Sequence, residues 1–561
     1  MVNKAWKIIP RPLLETVLNN HAQHHRVPHP LVLHGPRGVG KTTLILERLL
    51  EKWNTAPHVT GYVDFAQSIE DHHPHYGHSF PWASWSNCPP PSLPALRTQL
   101  ETCLESMAEK GVKLGSISSQ QIFKTLSKWN GMNTSLRRIL QSGSNSNVAL
   151  TDKASTSVLW NRALFALSAK QDVKEIDDVL GLKNAPVEES SYFREAMVAL
   201  KLAKEVVKVQ ESWRVNAIEQ MNRTGGFSRT LANSATDWPF LLLDLLSSAA
   251  EIGHFQPKLV INNIELLRHA LRKDDTMVRG SLYHDSLIWR IIWLGVNEKC
   301  LPVIFVTSDC YYSYQAFKDF GFDQIFISRE TYGWSPAEAK LHMVADYFSV
   351  SELNLILDVL GPNPRHLFEI YALKQSNYYQ KTVDGEGSTF EDIVDVYLAH
   401  LQETVVNPAM DRALSLLEKF ANDARSGKIP KDRMRFGAPW RHPPRVDNPT
   451  ECSEWAKLQL LEFVHAFINA EFGINYLAED TLEIFEDPAA LALIEVGILY
   501  LQRDPSFLRP ISRGIQRCLA RWFVQERLQL SRLNSFRYMW QRLIRCRSYR
   551  HLMKEIGYYK G

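Results

Sequence analysis

Residues 35 to 42 read GPRGVGKT, a full match to GxxxxGK[ST]. In that pattern glycines let the main chain close around a phosphate group. The apolar segment PLVLH precedes it and the helical pattern TTLILERLLEKW follows, which gives the order strand, phosphate loop, helix. In this setting the backbone N–H groups of Gly38, Gly40 and Lys41 can converge on phosphate oxygens at a helix N-terminus. Lys41 would add a point charge at the terminal phosphates, and Thr42 a hydroxyl for Mg²⁺.

The rest of the core follows from alternating apolar runs. HVTGYVDFA reads as a second strand with Asp64 near its end. TDWPFLLLDLLSSAAEIG has Thr236 or Asp237 as a cap and a terminal glycine, which predicts a helix. The strand KLVIN, a helix around SLIWRIIWLG and the strand CLPVIFVTS come next. This alternation predicts an α/β core, a parallel sheet with helices on both faces. Between the second strand and KLVIN, the residues from Leu93 to about Asn233 have helical periodicity, interrupted by QSGSNSN, and predict a large helical insertion. Beyond Pro364 the pattern is helical again, with a Pro-rich break at GAPWRHPPRVDNPTE. A chain of 561 residues is too long for one ordinary core and suits about three or four domains.

The wording GPRGVGKTTL resembles the GPRRVGKTSL of the archaeal-type ATPases, a branch of the STAND and AAA+-like P-loop NTPases. Further segments fall in the order of that family. Arg11 in IIPRPLLETVL resembles its entry helix, without the expected glycine and first glutamate. KLVINNIELL occupies the Walker B strand, and VIFVTSD resembles the sensor strand, ending in Thr307 and Ser308. ETYGWSPAEAKLHM resembles the segment that opens a helical lid, and GPNPRHL its GGxPxxL turn. ALALIEVGILYLQRDPSFLRPISRGIQRCLARWF reads as helix, strand, turn, strand, helix and resembles the winged-helix domain that follows the lid. Residues 8–70 and 236–375 carry the core and lid resemblance; the block between has no counterpart.

The resemblance implies the following organisation: core (1–70), helical insertion (71–235), rest of the core (236–330), lid (331–380), helical linker region (381–450), winged-helix-like domain (451–530) and basic aromatic tail (531–561). It implies ATP with Mg²⁺, the nucleotide held by Gly35, Pro36, Arg37, Gly38, Val39, Gly40, Lys41, Thr42 and Thr43, and by Pro364 of the lid turn. Thr307 and Ser308 would act as sensor, and Thr42 as the metal ligand.

Where the family has a metal-steering aspartate and a water-polarising glutamate, this chain has Asn262 and Asn263. An asparagine carries no charge and takes no proton. Loss of a general base removes about 10²–10⁴-fold in rate, so turnover near 10 s⁻¹ would fall to roughly 10⁻¹–10⁻³ s⁻¹. Binding through loop amides and Lys41 would persist. Two rescues stay open: Glu265 as a substitute base, and FLLLDLL, with Asp244, as the acidic strand, although its cap and terminal glycine favour a helix. The expectation is an ATP-binding switch or scaffold with weak or no hydrolysis. The alternatives are an active ATPase that remodels protein or nucleic acid, and an interaction protein whose loop no longer holds nucleotide.

Charge is uneven along the chain. From Arg513 onward twelve Lys/Arg face Glu526 and Glu555, about +10, against +3 for the whole, so the tail is the basic element. It interleaves Arg532, Arg537, Arg542, Arg545, Arg547 and Arg550 with Phe536, Tyr538, Trp540 and Tyr549. Such a pattern can contact nucleic acid, but is more often an amphipathic helix with aromatics inward. His72, His73, His75 and His78 beside Glu70 and Asp71 are metal-capable, without a standard zinc spacing. The seven cysteines lack a CxxC pair and suit a reducing compartment. Apolar runs are shorter than the roughly 18 residues a spanning helix needs. The expectation is a soluble intracellular protein, cytoplasmic by default, or in an organelle if a leader was removed, with a protein partner and with homo-oligomerisation left open.

Overall fold

The protein is described by a computed structural model. It describes residues 6–23, 29–67, 69, 90–129, 131–143, 155–169, 187–224, 237–250, 254–270, 279–296, 301–310, 312, 325–344, 346–376, 389–429, 442–444, 448–468, 473–475, 487–503 and 506–545.

The first half opens with α1 (Pro12–Gln23), β1 (Leu31–His34) and α2, which runs as Lys41–Leu44, a π-helical turn Ile45–Leu49 and Leu50–Trp53. Next come β2 (His58–Asp64) and the helices α3 (Leu93–Lys113), α4 (Ser119–Ser127), α5 (Met132–Gly143), α6 (Thr156–Ser168), α7 (Val187–Thr224) and α8 (Trp238–Ala249). The core resumes with β3 (Gln256–Asn262), α9 (Glu265–His269), α10 (Arg279–Val296), β4 (Val303–Thr307) and β5 (Ile327–Glu330).

The five strands form one parallel sheet in the order β2-β3-β4-β1-β5. Side chains on a strand alternate between faces, and both faces here are covered by helices. Val32, Leu259, Ile261, Val303 and Phe305 join one buried cluster with residues of α3 to α8 and α10. Leu31, Leu33, Val260, Ile304 and Val306 pack the other way, against Leu18 and Ala22 of α1 and Leu44, Ile45, Leu49 and Trp53 of α2. The helical insertion thus shares its core with the sheet. Contact between α3 and β2 depends on Gly61, where a Cβ would lie 2.3 Å from Met107 Sδ and 2.8 Å from Cys103 Sγ. FLLLDLL is part of helix α8, with Asp244 buried and paired with Arg290 of α10. The apolar patterning does not predict the fifth strand: in Ile327–Glu330 three of the four residues, Ser328, Arg329 and Glu330, are polar, and the strand is short and incompletely buried.

The second half contains α11 (Pro336–Met343), α12 (Val350–Val359), α13 (Pro364–Lys374) and α14 (Phe390–Leu401), the last continued by a π-helical turn Gln402–Val406 into α15 (Asn407–Arg425). Then follow α16 (Pro449–Ile468), β6 (Ile474–Asn475), α17 (Pro488–Glu495), β7 (Leu499–Leu501), β8 (Phe507–Pro510), α18 (Arg513–Leu528) and α19 (Arg532–Arg545). Helix starts are locally encoded: Ser335 with Glu338 and Ser349 with Glu352 form capping boxes, and Asn363, Asp487 and Ser512 cap α13, α17 and α18. The helix, two strands and helix expected at the C-terminal end are present as α17, the antiparallel β7 and β8, and α18. The turn at Asp504-Pro505 lies outside the described residues, as do the histidine cluster and the tail beyond Arg545. One buried cluster runs from Trp334 through Leu367, Tyr397, Leu461 and Tyr500 to Trp522 and Tyr538.

On α19 the aromatic residues divide. Tyr538 is buried, its hydroxyl 2.8 Å from His465 Nδ1, but Phe536 and Trp540 are 63% and 58% exposed. The expectation of aromatics inward therefore fails for these two residues. They lie with the exposed Leu533 and Leu543 at helical spacing on an outer stripe, away from the buried Tyr538. Among the described residues, no helix is long and apolar enough to cross a membrane.

His366 of α13 is fully buried, with Nδ1 2.8 Å from Tyr397 Oη of α14 and Nε2 2.7 Å from Ser512 Oγ at the start of α18. Burial, helped by Arg365, pushes its pKa down to about 3. The fold therefore holds the neutral ring, while the unfolded chain takes up a proton below about pH 6.5. This contribution to stability is complete above about pH 6.5 and is lost as pH falls towards 3, by up to about 1.4 kcal/mol per pH unit. Melting temperatures between pH 7 and 4 are expected to fall less steeply in His366→Gln than in the unsubstituted protein.

Candidate functional site

The glycine-rich loop Gly35–Gly40 leaves the carboxyl end of β1, an inner strand, and turns into α2. Gly38 and Gly40 have φ of 79° and 84°, the left-handed region where a side chain is strained. Gly35 is fixed by space instead: a Cβ there would stand 2.1 Å from the carbonyl oxygen of Thr331, just beyond β5. The loop is thus shaped both by its own sequence and by the strand beside it.

Lys41 is buried, and its ammonium donates to the carbonyls of Gly35 (2.8 Å) and Pro36 (2.9 Å). An ammonium has three donors, and Lys41 lines the cavity beside the loop, so one N–H remains for an anion. Burial first, then Arg37, pushes the Lys41 pKa down to about 7; Glu265 acts in the opposite direction and Arg11 in the same one. A phosphate group would reverse that depression.

The cavity has a volume of about 510 Å³, within the range of small-molecule sites. Its lining includes Arg37, Gly38, Val39, Gly40, Lys41, Thr42 and Thr43 of the loop, Asn262, Asn263 and Ser308 from the ends of β3 and β4, and Pro364 of α13. Gly35 and Pro36 contribute through their carbonyls to Lys41. Arg11 and Arg365 bring further positive charge, and Trp6, Ile8, Ile9, Trp334 and Phe368 an apolar wall. A basic floor with an aromatic wall suits a polyanion joined to a flat ring.

Arg11 closes the loop from outside, donating to the carbonyls of Val39 (3.3 Å) and Tyr332 and to Thr331 Oγ1 (2.9 Å). Asn363, which caps α13, donates through Nδ2 to the Arg37 carbonyl at 3.3 Å. The loop is therefore held by the entry segment and by the turn before α13. It is also tied to the C-terminal hairpin. His34, the residue before Gly35, has Nε2 2.9 Å from Ser328 Oγ and Nδ1 3.2 Å from Tyr500 Oη on β7. Tyr500 donates to Glu330 at 2.6 Å, which also accepts the Arg503 backbone N–H at 3.1 Å. Burial, then Arg503 and Lys41, hold the His34 ring well below its ordinary pKa, so it stays neutral.

Asn262 and Asn263 reach the cavity, but a carboxylate stands beside them. Asp64, at the end of β2, is in register with Asn262 in the parallel pairing of β2 with β3. Its Oδ2 accepts from Asn262 Nδ2 at 2.7 Å and from Tyr62 Oη at 3.2 Å. Its Oδ1 accepts from Asn263 Nδ2 at 2.8 Å and from the Ala66 N–H at 3.0 Å. Asn262 Nδ2 also lies 3.3 Å from Thr42 Oγ1. The sequence places Asp64 near a strand end but gives no sign of this role; its signal is an acid closing a strand parallel to the asparagine strand.

Glu265 is buried and does not line the cavity. Its Oε2 accepts from Thr307 Oγ1 at 2.8 Å, and burial and the Asp309 carboxylate push its pKa up. Thr307 is turned into that contact, leaving Ser308 of the expected sensor pair at the cavity. Asp244 pairs with Arg290 on α10, apart from the lining residues. Among the described residues, no group of three His, Cys, Asp or Glu side chains is arranged to hold a metal ion.

No protein-family model matches this chain, and no curated protein matches it.

A triphosphate bound at pH 8 is expected to raise the Lys41 pKa and draw about one proton from buffer, seen as a binding enthalpy that varies with buffer ionisation heat. Lys41→Arg, whose guanidinium is always protonated, should bind without that uptake. Equal uptake in both proteins would place Lys41 away from the phosphates.

Proposed function

We propose that the protein binds a nucleoside triphosphate, ATP with Mg²⁺, and works as a nucleotide-dependent switch or scaffold with slow or no hydrolysis. The observation that carries this reading is the buried Lys41, held by two loop carbonyls at the edge of a cavity with basic and aromatic walls. In this reading the loop amides, Lys41 and Thr42 take the phosphates, and Trp6, Trp334 and Phe368 face the base. The group-by-group chemistry fits the metal as well: a hydroxyl, a carboxylate and amide groups are the hard oxygen surroundings that Mg²⁺ accepts, with waters and phosphates completing its shell. Bound there, Mg²⁺ would neutralise phosphate charge.

Switching is supported by what the loop touches. The phosphate loop bonds directly to the turn before α13 through Asn363, and β1 bonds to the C-terminal hairpin through His34 and Tyr500. A ligand that binds one arrangement of these contacts better than another shifts the population towards it. Slow turnover is supported by the ends of β3, where the amides of Asn262 and Asn263 accept no proton. Asp64 already accepts four donors, about the full capacity of a carboxylate, and is poorly placed to take a proton from water.

Calorimetry with Mg-ATP tests the reading. Binding is expected in the unsubstituted protein and weakened by about 10–100-fold in Lys41→Ala, the loss of one or more charge-assisted hydrogen bonds. Steady-state turnover should lie at roughly 10⁻¹ s⁻¹ or lower. Turnover near that of a median enzyme, about 10 s⁻¹, would instead select an active remodelling ATPase. No affinity for any nucleoside triphosphate would select an interaction protein.

A further inference from the structure

We propose that Asp64 supplies the negative charge of the divalent-cation half of this site, from β2, in place of acids at the end of β3. The inference rests on the nucleotide reading above and adds to it the group that makes binding depend on the metal.

The argument starts from the hydrogen-bond polarity of an ionised carboxylate, which can only accept. Asp64 Oδ2 stands 2.7 Å from one end of the Asn262 amide and Oδ1 2.8 Å from one end of the Asn263 amide. Those ends must be the nitrogens, so the orientation of both amides is fixed by Asp64 rather than chosen by convention. Each amide oxygen is thereby directed away from the carboxylate, and both asparagines line the cavity. A neutral amide oxygen polarised by a carboxylate behind its N–H₂ group is a better ligand for a hard cation, or for its bound water, than an isolated amide. Thr42 Oγ1, the hydroxyl expected at the metal, lies 3.3 Å from the same Asn262 nitrogen. Asp64, Asn262 and Thr42 are thus one bonded chain, in which Asn262 turns its amide nitrogen to both neighbours and leaves its oxygen for other partners at the cavity.

Four features make this arrangement specific. Asp64 is the sole carboxylate among the described residues that line the cavity, against Arg11, Arg37, Lys41 and Arg365. The parallel register sets Asp64 beside Asn262, and the Phe65 N–H donates to the Asn262 carbonyl at 3.2 Å just beyond it. Asn263 has a φ of 55°, a conformation asparagine tolerates better than most residues, and from it reaches Asp64. Tyr62, bonded to both Asp64 and Asn262, closes the group from the strand side. Asp64 acts here as a positioning and charge-supplying residue; it performs no bond-making step.

The test measures ATP affinity by calorimetry with EDTA and with Mg²⁺, and Mn²⁺ binding to the protein–ATP complex by electron paramagnetic resonance. Asp64→Asn should leave affinity in EDTA within about twofold, while the gain on adding Mg²⁺ and the affinity for Mn²⁺ fall by about 10–100-fold, the usual effect of removing a group that supports metal ligands. The exchange variant Asp64→Asn, Asn262→Asp returns one carboxylate and one amide to the pair in reversed positions, and should recover most of the metal dependence. It also serves if the single variant folds poorly. Unchanged metal dependence in Asp64→Asn, or an exchange variant that binds ATP in EDTA but gains nothing from Mg²⁺, overturns the inference and leaves nucleotide binding standing. If the unsubstituted protein binds no nucleotide in either condition, the reading beneath it fails and this inference with it.

Discussion

A lysine ammonium inside a protein needs oxygen atoms around it, and the site is organised by how Lys41 obtains them. Two come from its own loop, the carbonyls of Gly35 and Pro36, so the loop must curl back over the start of α2. That curl requires left-handed backbone at Gly38 and Gly40 and close contact of Gly35 with Thr331. The sheet order supplies the rest. With β1 flanked by β4 and β5, the loop emerges beside Ser308 on one side and Thr331 on the other. Crevices beyond the carboxyl ends of parallel strands, where successive connections depart in opposite directions, are where α/β proteins hold ligands.

The same loop joins the two halves of the molecule. Arg11 fastens it to the residues that lead into α11, Asn363 fastens it to the start of α13, and His34 connects β1 to β7 through Tyr500. Each of these contacts is buried or nearly so, where a broken hydrogen bond costs about 1–3 kcal/mol. The loop, the start of α13 and the hairpin are therefore held together by direct hydrogen bonds. His366 extends the path, joining α13 to α14 and α18 across a buried ring.

Several elements were legible before the structure because their causes are local. The strands around β1, β2, β3 and β4 announce themselves as short apolar runs, and α8 by its length; Asp237 stands at its start as expected but pairs with Arg97 instead of capping it. The structure adds further locally encoded starts that the sequence reading leaves unnamed, the caps Ser335, Ser349 and Asn363. The strand β5 was not legible, since three of its four residues are polar and owe their place to pairing with β1. The outward aromatics of α19 were missed for a related reason: a stripe at helical spacing says that a face is apolar, not which face meets the core.

Taken alone, the sequence determined the shape of the loop after β1, because glycines at fixed spacing favour left-handed backbone through short-range sterics. It also determined that β3 ends without acid. Only the tertiary structure decided where negative charge returns. Asp64 lies nearly two hundred positions before Asn262 in the chain, with the helical insertion between them, and the two meet through the register of two parallel strands. Hydrogen bonding between strands fixes that register over long sequence distances, and no local pattern carries it.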